Sequence, residues 1–359
     1  MKMPGRYDRQ EILAEIGLIG QKKLSFARIL VVGAGGLGCP ALQYLAGAGI
    51  GTLGIVDHDI ITLSNLQRQV LYTTEDLGKP KTDVARARLL QLNPEITIHT
   101  YAEKVTENNV LDLFSNYDII IDGTDNFATK FLINDAAVKM GKPVIYGAIQ
   151  GFEGQVSIFD SKYGPCYRCL YPKPPQQTIF NCAETGVIGA LPGIVGSVQA
   201  MEVIQWVVRH PSFQPLIGKL WIIDARTMET RIVRVPKQKE CSVCSKLLAE
   251  IILPTDFPVC SLITELDYND IARRNDVVLI DVRELSEYVE GHISGSQHIP
   301  FTLLQKNTNV FTSQGDGKIC VLYCQKGVRS KKAAEWLLLA GFKNIFSLKG
   351  GFEAWSSHG

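Results

Sequence analysis

The feature that most constrains this chain is a glycine-rich turn wedged between an apolar run and a helical pattern. ARILVVGAGG reads as a buried strand ending in that turn. CPALQYLAGAGI reads as the helix after it, with Pro40 near its start, where a missing N–H costs nothing. TLGIVDHD is a second strand, and Asp57 at its end falls 19 residues after Gly38. Gly33, Gly35 and Gly38 let the backbone approach a phosphate chain, and the helix N-terminus supplies N–H donors and a positive dipole. An acid placed like Asp57 can bond ribose hydroxyls. By itself this unit suits NAD, FAD or ATP about equally.

The same alternation continues. KTDVARARLLQLNP is an amphipathic helix stopped by Pro94, ITIHTYAEKV a third strand and YDIIIDGTDN a fourth. NFATKFLINDAAVKMG is a helix, followed by the strands KPVIYGAIQG and QVSIFD, and LWIIDARTMETRIVRV has the look of a terminal antiparallel hairpin. This predicts an α/β fold, Rossmann-like, with a mostly parallel sheet and helices on both faces. A length of 359 residues fits two domains or slightly more. SKLLAEIILPTDFPVC has two prolines and no clear period. The expected division is a first domain over 1–248, a linker over 249–259 and a small α/β domain over 260–359.

A net charge of +1 excludes a bulk electrostatic grip on nucleic acid or an anionic membrane. With 46% hydrophobic and 20% charged residues the chain is not disordered. No run approaches the roughly 18 apolar residues of a membrane span. MKMPGRYDRQEILAEIG lacks a signal-peptide core, so a cytoplasmic protein is expected. In a reducing compartment its nine cysteines are read as metal ligands, nucleophiles or packing residues rather than disulfides.

S-N-L-Q-R-Q at 64–69 lies just past the second strand, Lys81 opens the next helix, and Thr124-Asp125-Asn126 follows the fourth strand. An acid near a triphosphate suits magnesium, and Arg68 and Lys81 can neutralise charge on a leaving pyrophosphate. Together at adjacent strand ends they describe a nucleotidyl-transfer site. RYDRQ, GAGGLGCP, VDHD, SNLQRQ, GKPK, GTDN and NCAETGVIGALPG together resemble the ThiF/MoeB/HesA adenylyltransferases, relatives of ubiquitin-activating enzymes that act on sulfur-carrier proteins. The resemblance covers about 1–245. It implies that Asp57 contacts the ribose, with Gly36, Ser64, Asn65, Leu66, Gln67, Arg68, Lys81 and Asn126 around ATP. It further implies magnesium at Asp125, and Arg9 as an arginine finger reaching across a homodimer.

Cys166-Tyr-Arg-Cys169 and Cys241-Ser-Val-Cys244 are two C-x-x-C pairs, 72 residues from Cys169 to Cys241. Two such pairs can supply the tetrahedral sulfur set of a structural zinc, although the gap is wider than a zinc ribbon's; buried or redox-active thiols are the alternative. The same pairs hold zinc in much of the resembled family. Cys182 sits in the Pro/Gln-rich stretch PPQQTIFNCAETGVIG, where a thiol could attack an adenylate or simply be an unreactive loop residue. The resemblance favours a sulfur-relay role.

Beyond residue 260 a second α/β pattern begins. LIDVRE, EGHISGSQHIP and CQKGVRS, in that order, resemble a rhodanese domain. Cys324 ends a strand and opens a short loop before a helix. Loop N–H groups, the helix N-terminus and Arg329 are expected to stabilise a thiolate or persulfide there. Asp281 and Arg283 are expected to brace the fold, His292 and His298 to be hydrogen-bonded structural residues, and Cys39, Cys260 and Cys320 to be packing residues.

The expectation is an ATP- and magnesium-dependent enzyme that adenylylates the C-terminal carboxylate of a ubiquitin-like sulfur carrier. Cys324, loaded by a cysteine desulfurase, then delivers sulfur to give a thiocarboxylate. The competing readings are a nicotinamide oxidoreductase, which leaves SNLQRQ, Lys81 and the cysteine pairs idle, and a non-catalytic sulfur-trafficking scaffold.

Overall fold

The computed structural model describes residues 5–173, 186–254, 263–272, 274–307, 310–311 and 318–356. They fall into two compact units, divided between residues 257 and 258.

In the first unit, short β-branched runs form strands, the central ones buried on both faces as a sheet covered by helices requires. The strands are β1 (Arg28–Val32), β2 (Thr52–Val56), β3 (Thr97–Tyr101), β4 (Ile119–Asp122), β5 (Val144–Gln150), β6 (Glu153–Phe159), β7 (Lys219–Asp224) and β8 (Glu229–Arg234). They lie in the order β3-β2-β1-β4-β5-β6-β7-β8. The first five are parallel, while β6, β7 and β8 join antiparallel, so the expected terminal hairpin closes one edge.

The period-two alternation of a strand sorts β1 between two cores. Ile29 and Val31 pack with the helices Gly38–Ala48 and Ala190–Val208, whereas Leu30 and Val32 pack with Val110–Ser115 and Phe127–Met140. Between β1 and β4 the strand order changes direction, the point at which open α/β sheets place a ligand crevice beyond the strands' carboxyl ends.

Ala190–Val208 corrects one expectation, because this 19-residue helix is long and apolar enough to span a membrane by length and composition. It is apolar because it is a core helix. It packs on β5, β6 and Gly38–Ala48, and its buried face carries Gln199 and Glu202.

The second unit is a five-stranded sheet in the order β11-β10-β12-β13-β9, every pairing parallel. Its strands are β9 (Glu265–Leu266), β10 (Val277–Asp281), β11 (Gln297–His298), β12 (Ile319–Tyr323) and β13 (Ile345–Leu348). Alternation again divides β12, with Cys320 and Leu322 in one cluster and Val321 and Tyr323 in another.

Glu202 is buried and accepts a hydrogen bond from the Leu216 N–H at 2.8 Å. Burial pushes its carboxyl up to about 6 from 4.5. A raised carboxyl pKa means the fold loses stability as pH rises from the unfolded value through the folded one. Glu202→Gln keeps the acceptor without the charge. It should leave stability near wild type at pH 4 and raise it by on the order of 1 kcal/mol at pH 8, read from urea denaturation at both pH values.

Candidate functional site

The crevice is built by backbone meeting backbone. Gly33 has φ +94°, and a Cβ there would fall 2.8 Å from the Gly123 carbonyl oxygen. A Cβ on Gly38 would fall 1.9 Å from the Gly33 carbonyl oxygen. Only glycine permits both approaches. Ala34 is clamped from three sides. Its N–H donates to Asp57 Oδ2 at 2.8 Å, and its carbonyl accepts from the Tyr72 hydroxyl at 2.8 Å and the Cys39 thiol at 3.4 Å. Burial pushes the Cys39 thiol up to about 12, so this cysteine is a packing residue, as expected. Among the described residues the N–H groups of Gly35 and Gly36 make no hydrogen bond. The turn is thus fixed in advance with donors available at a helix start, the arrangement that binds phosphate. Asp57, expected at a ribose, also fastens the turn, and its Oδ1 accepts from the Asp59 N–H at 2.8 Å.

The segment 64–69 packs beside this turn. A Cβ on Gly36 would touch Arg68 and Pro192, and one on Gly189 would fall 2.0 Å from the Gln67 carbonyl oxygen. Arg68 donates to the Ser64 carbonyl at 2.8 Å, and Asn65 caps its own short turn by accepting from the Thr62 N–H. Leu66 is half-buried, and Ser64 and Gln67 are exposed. Lys81 is buried, with its Nζ 2.8 Å from Asp59 Oδ2.

At the end of β4, Asp122 is withdrawn from water and pairs with Lys130 at 3.0 Å. Its other oxygen accepts from the Thr124 N–H at 3.0 Å and hydroxyl at 2.7 Å. Lys130 also donates to the Gly147 carbonyl at 2.8 Å. Asn126 caps the following helix through the Thr129 N–H. Asp125, between these anchors, is exposed and makes no hydrogen bond among the described residues, so its carboxylate is available to a hard cation. Arg9, on the short helix Asp8–Glu11, is likewise exposed. Cys182 and Cys260 lie outside the described residues.

The two C-x-x-C pairs converge. Cys166 Sγ lies 3.9 Å from Cys169 and 3.6 Å from Cys241, and Cys169 lies 3.5 Å from Cys244. All four sulfurs fall within 4.8 Å of one another. A tetrahedron of thiolates at zinc distance has edges of ~3.8 Å. Hydrogen bonding from Cys166 pulls Cys169 down to about 4 and Cys244 to about 7, while Cys166, the donor, is pushed up. The Gln238 N–H also donates to Cys169 Sγ at 3.4 Å. Ile251 is buried beside the cysteines, and the Lys139 ammonium donates to its carbonyl at 2.7 Å. The chain therefore stays docked on the first unit as far as this residue.

In the second unit, Cys324 is buried at the end of β12. Its carbonyl accepts from the Phe352 N–H at 2.8 Å, and a Cβ on Gly351 would fall 2.2 Å from that oxygen. Gly327, at φ +87°, turns the chain into the helix Val328–Leu339. Asp281 and Arg283 brace the loop as expected, 2.7 Å apart and fully buried, with Arg283 also donating to Gln325 at 3.0 Å and to the Gly291 carbonyl at 2.6 Å. His298 bonds the Arg283 carbonyl and His292 the Tyr288 carbonyl, and both rings stack on Tyr288. Arg329 departs from expectation, because its guanidinium is engaged by both oxygens of Glu287 rather than left for the thiolate.

Family comparison agrees with this geometry. The ThiF family model matches residues 7–243, and the rhodanese-like domain model matches 265–358.

The chain belongs to the ThiF family.

It is 39% identical to the probable adenylyltransferase/sulfurtransferase MoeZ of Mycobacterium tuberculosis, over 98% of this chain and 92% of that one. It is 37% identical to the adenylyltransferase and sulfurtransferase MOCS3 of Culex quinquefasciatus, over 98% and 86%. Against the sulfur carrier protein adenylyltransferase of Thermus thermophilus it is 47% identical over 67% and 90%. The crystal structure of E. coli MccB with ATP shares the fold of this ThiF-family chain at a TM-score of 0.61 and 24% identity, covering 68% of this chain and 75% of that one.

Sequence reasoning missed Asp59, Tyr72, Asp122 and Lys130. Asp122 and Lys130 read as ordinary strand and helix positions, Asp59 and Tyr72 as loop residues, and only the fold shows what they meet. Lys130→Met strands Asp122 in the core without a partner. It should cost about 3–5 kcal/mol in a denaturant titration, with Asp122→Asn in the same chain recovering much of that loss.

Proposed function

We propose that this ThiF-family enzyme adenylylates the C-terminal carboxylate of a ubiquitin-like sulfur-carrier protein with ATP, and that Cys324 supplies the sulfur converting it to a thiocarboxylate. The observation that carries the first step is the clamped glycine turn, closed against Gly123 at the neighbouring strand end, two residues before the exposed Asp125. The backbone donors hold the phosphates, Arg68 and Lys81 lie beside the turn, and the carrier carboxylate attacks the α-phosphorus as pyrophosphate leaves. Catalysis is positioning plus charge neutralisation, and no general base is required. Magnesium, when bound, offsets phosphate charge, and Asp125 is the residue that would hold it. Arg9 would complete the charge clamp from a second copy of the chain.

For the second step, Cys324 would receive sulfur as a persulfide from a cysteine desulfurase. Backbone N–H groups of its loop and the start of Val328–Leu339 favour the anion. Linking both activities in one chain raises the effective concentration of donor at the activated carboxyl. Cys182 would relay the sulfur between them.

Zinc would occupy the Cys166, Cys169, Cys241 and Cys244 quartet and staple the end of the first unit to its body. Metal analysis of untagged protein should find about one zinc per chain, lost in Cys169→Ser together with thermal stability. Protein without metal refutes the assignment.

Incubation with ATP, magnesium, a desulfurase with cysteine, and a carrier should shift the carrier's intact mass by about +16 Da, the replacement of one oxygen by sulfur. Cys324→Ala should abolish that shift yet retain carrier-dependent ATP–pyrophosphate exchange, whereas Asp125→Ala should lose both. Wild-type protein that supports no exchange with any carrier refutes the adenylation reading.

A further inference from the structure

The Cys324 loop carries two cations, and a carboxylate faces each. Arg329 meets Glu287 through two parallel bonds, Nη1 to Oε2 at 2.6 Å and Nη2 to Oε1 at 2.5 Å. Lys326 lies 4.0 Å from Glu353. The neighbouring cations follow suit, with Arg283 on Asp281 at 2.7 Å and Lys331 on Glu265 at 2.7 Å. Glu287 lies outside the loop, 42 residues earlier in the chain, on the helix Leu285–Glu290. Its own charge is secured, since the Arg329 guanidinium holds its carboxyl down at about 2. Arg329 nevertheless follows Cys324 by five residues, in the first turn of the helix Val328–Leu339.

An unpaired arginine beside a nucleophilic sulfur is a natural seat for a small oxyanion, because its planar fork matches two anionic oxygens. Glu287 fills that fork with protein. We propose that Glu287 is a specificity-determining positioning residue. By holding Arg329, it excludes free dianionic sulfur donors such as thiosulfate and reserves Cys324 for sulfur delivered as a protein-bound persulfide. The inference rests on the reading of Cys324 as the sulfur acceptor. A protein donor brings its sulfur by surface docking and does not require the Arg329 fork. For thiosulfate, a planar guanidinium fork at the loop would add a bidentate grip on the sulfonate to what the backbone N–H groups offer. In the excluded reaction the Cys324 thiolate attacks the outer sulfur of thiosulfate. A new S–S bond forms as the old one breaks, and its electron pair leaves with sulfite.

The test uses the full chain with two donors, sodium thiosulfate and a cysteine desulfurase charged with cysteine. Loading is read as the +32 Da persulfide on the Cys324 peptide, and sulfite release gives the thiosulfate kinetics. In Glu287→Gln the KM for thiosulfate should fall on the order of tenfold, the scale of one charge-assisted bond. Its kcat, and loading from the desulfurase, should stay near wild type. Adding Arg329→Gln to that variant should return KM to the wild-type value or above, because the freed guanidinium is gone.

An unchanged or raised thiosulfate KM in Glu287→Gln, with a native circular dichroism spectrum, overturns the proposal and leaves Glu287 as a brace. Equal acceleration with both donors also overturns it. So does a gain that survives loss of Arg329. Wild-type protein whose Cys324 takes sulfur from neither donor overturns the acceptor reading as well.

Discussion

The crevice of the first unit depends on one ion pair that water does not reach. Asp122 ends β4, and Lys130 reaches it from the second turn of the following helix. Isolated, either charge would be expensive to bury. Here Lys130 also donates to the Gly147 carbonyl, and Asp122 takes two further bonds from Thr124. The pair therefore joins three adjacent pieces of structure, the end of β4, the middle of β5 and the start of the helix Phe127–Met140. Gly123 lies directly after Asp122, and its carbonyl is the atom against which Gly33 closes. An error in the position of Asp122 would propagate into the glycine turn and Asp125 together. That is how a pair outside the proposed ATP contacts governs the geometry of the residues assigned to them.

Much of this was legible in the sequence. The apolar runs at β1, β2 and β4 can only be strands covered on both faces. The glycines between β1 and its helix mark a close backbone approach, and residues 64–69 and 124–126, read together with Lys81 as a nucleotide site, pack beside that turn and follow β4. What could not be read was pairing. Asp57 is visible as a strand-end acid, but its bond to Ala34 depends on how the turn folds back. Asn65 and Asn126 read as ligand residues, and the structure shows each as a local cap, because a short amide serves either purpose. The partnership of Arg329 with Glu287 spans two elements whose separation no periodicity encodes.

The cysteines show the same division. C-x-x-C spacing brings two sulfurs together locally, so each half of the quartet is apparent. Convergence of the halves depends on the β7–β8 hairpin returning the chain to the short helix Tyr167–Leu170. Ile251 extends that return by docking after the second pair, with Lys139 holding its carbonyl. The quartet thus ties the chain that leaves β8, itself exposed along its length, to the short helix Tyr167–Leu170.

The two units manage charge in opposite ways, and the contrast follows from their chemistry. In the proposed nucleotidyl transfer a polyanion enters the first unit, where Arg9 and Asp125 are exposed. On that proposal their partners would arrive with the substrates and the second copy of the chain. Sulfur transfer moves a single anionic sulfur, which backbone N–H groups and a helix N-terminus can stabilise without any free side-chain cation. A strongly positive loop would attract every small anion in solution to a nucleophile meant for one donor. Neutralising Arg329 in place, rather than replacing it, keeps a guanidinium near the sulfur while denying it to competitors. Specificity at such a loop comes from the carboxylate as much as from the arginine it holds.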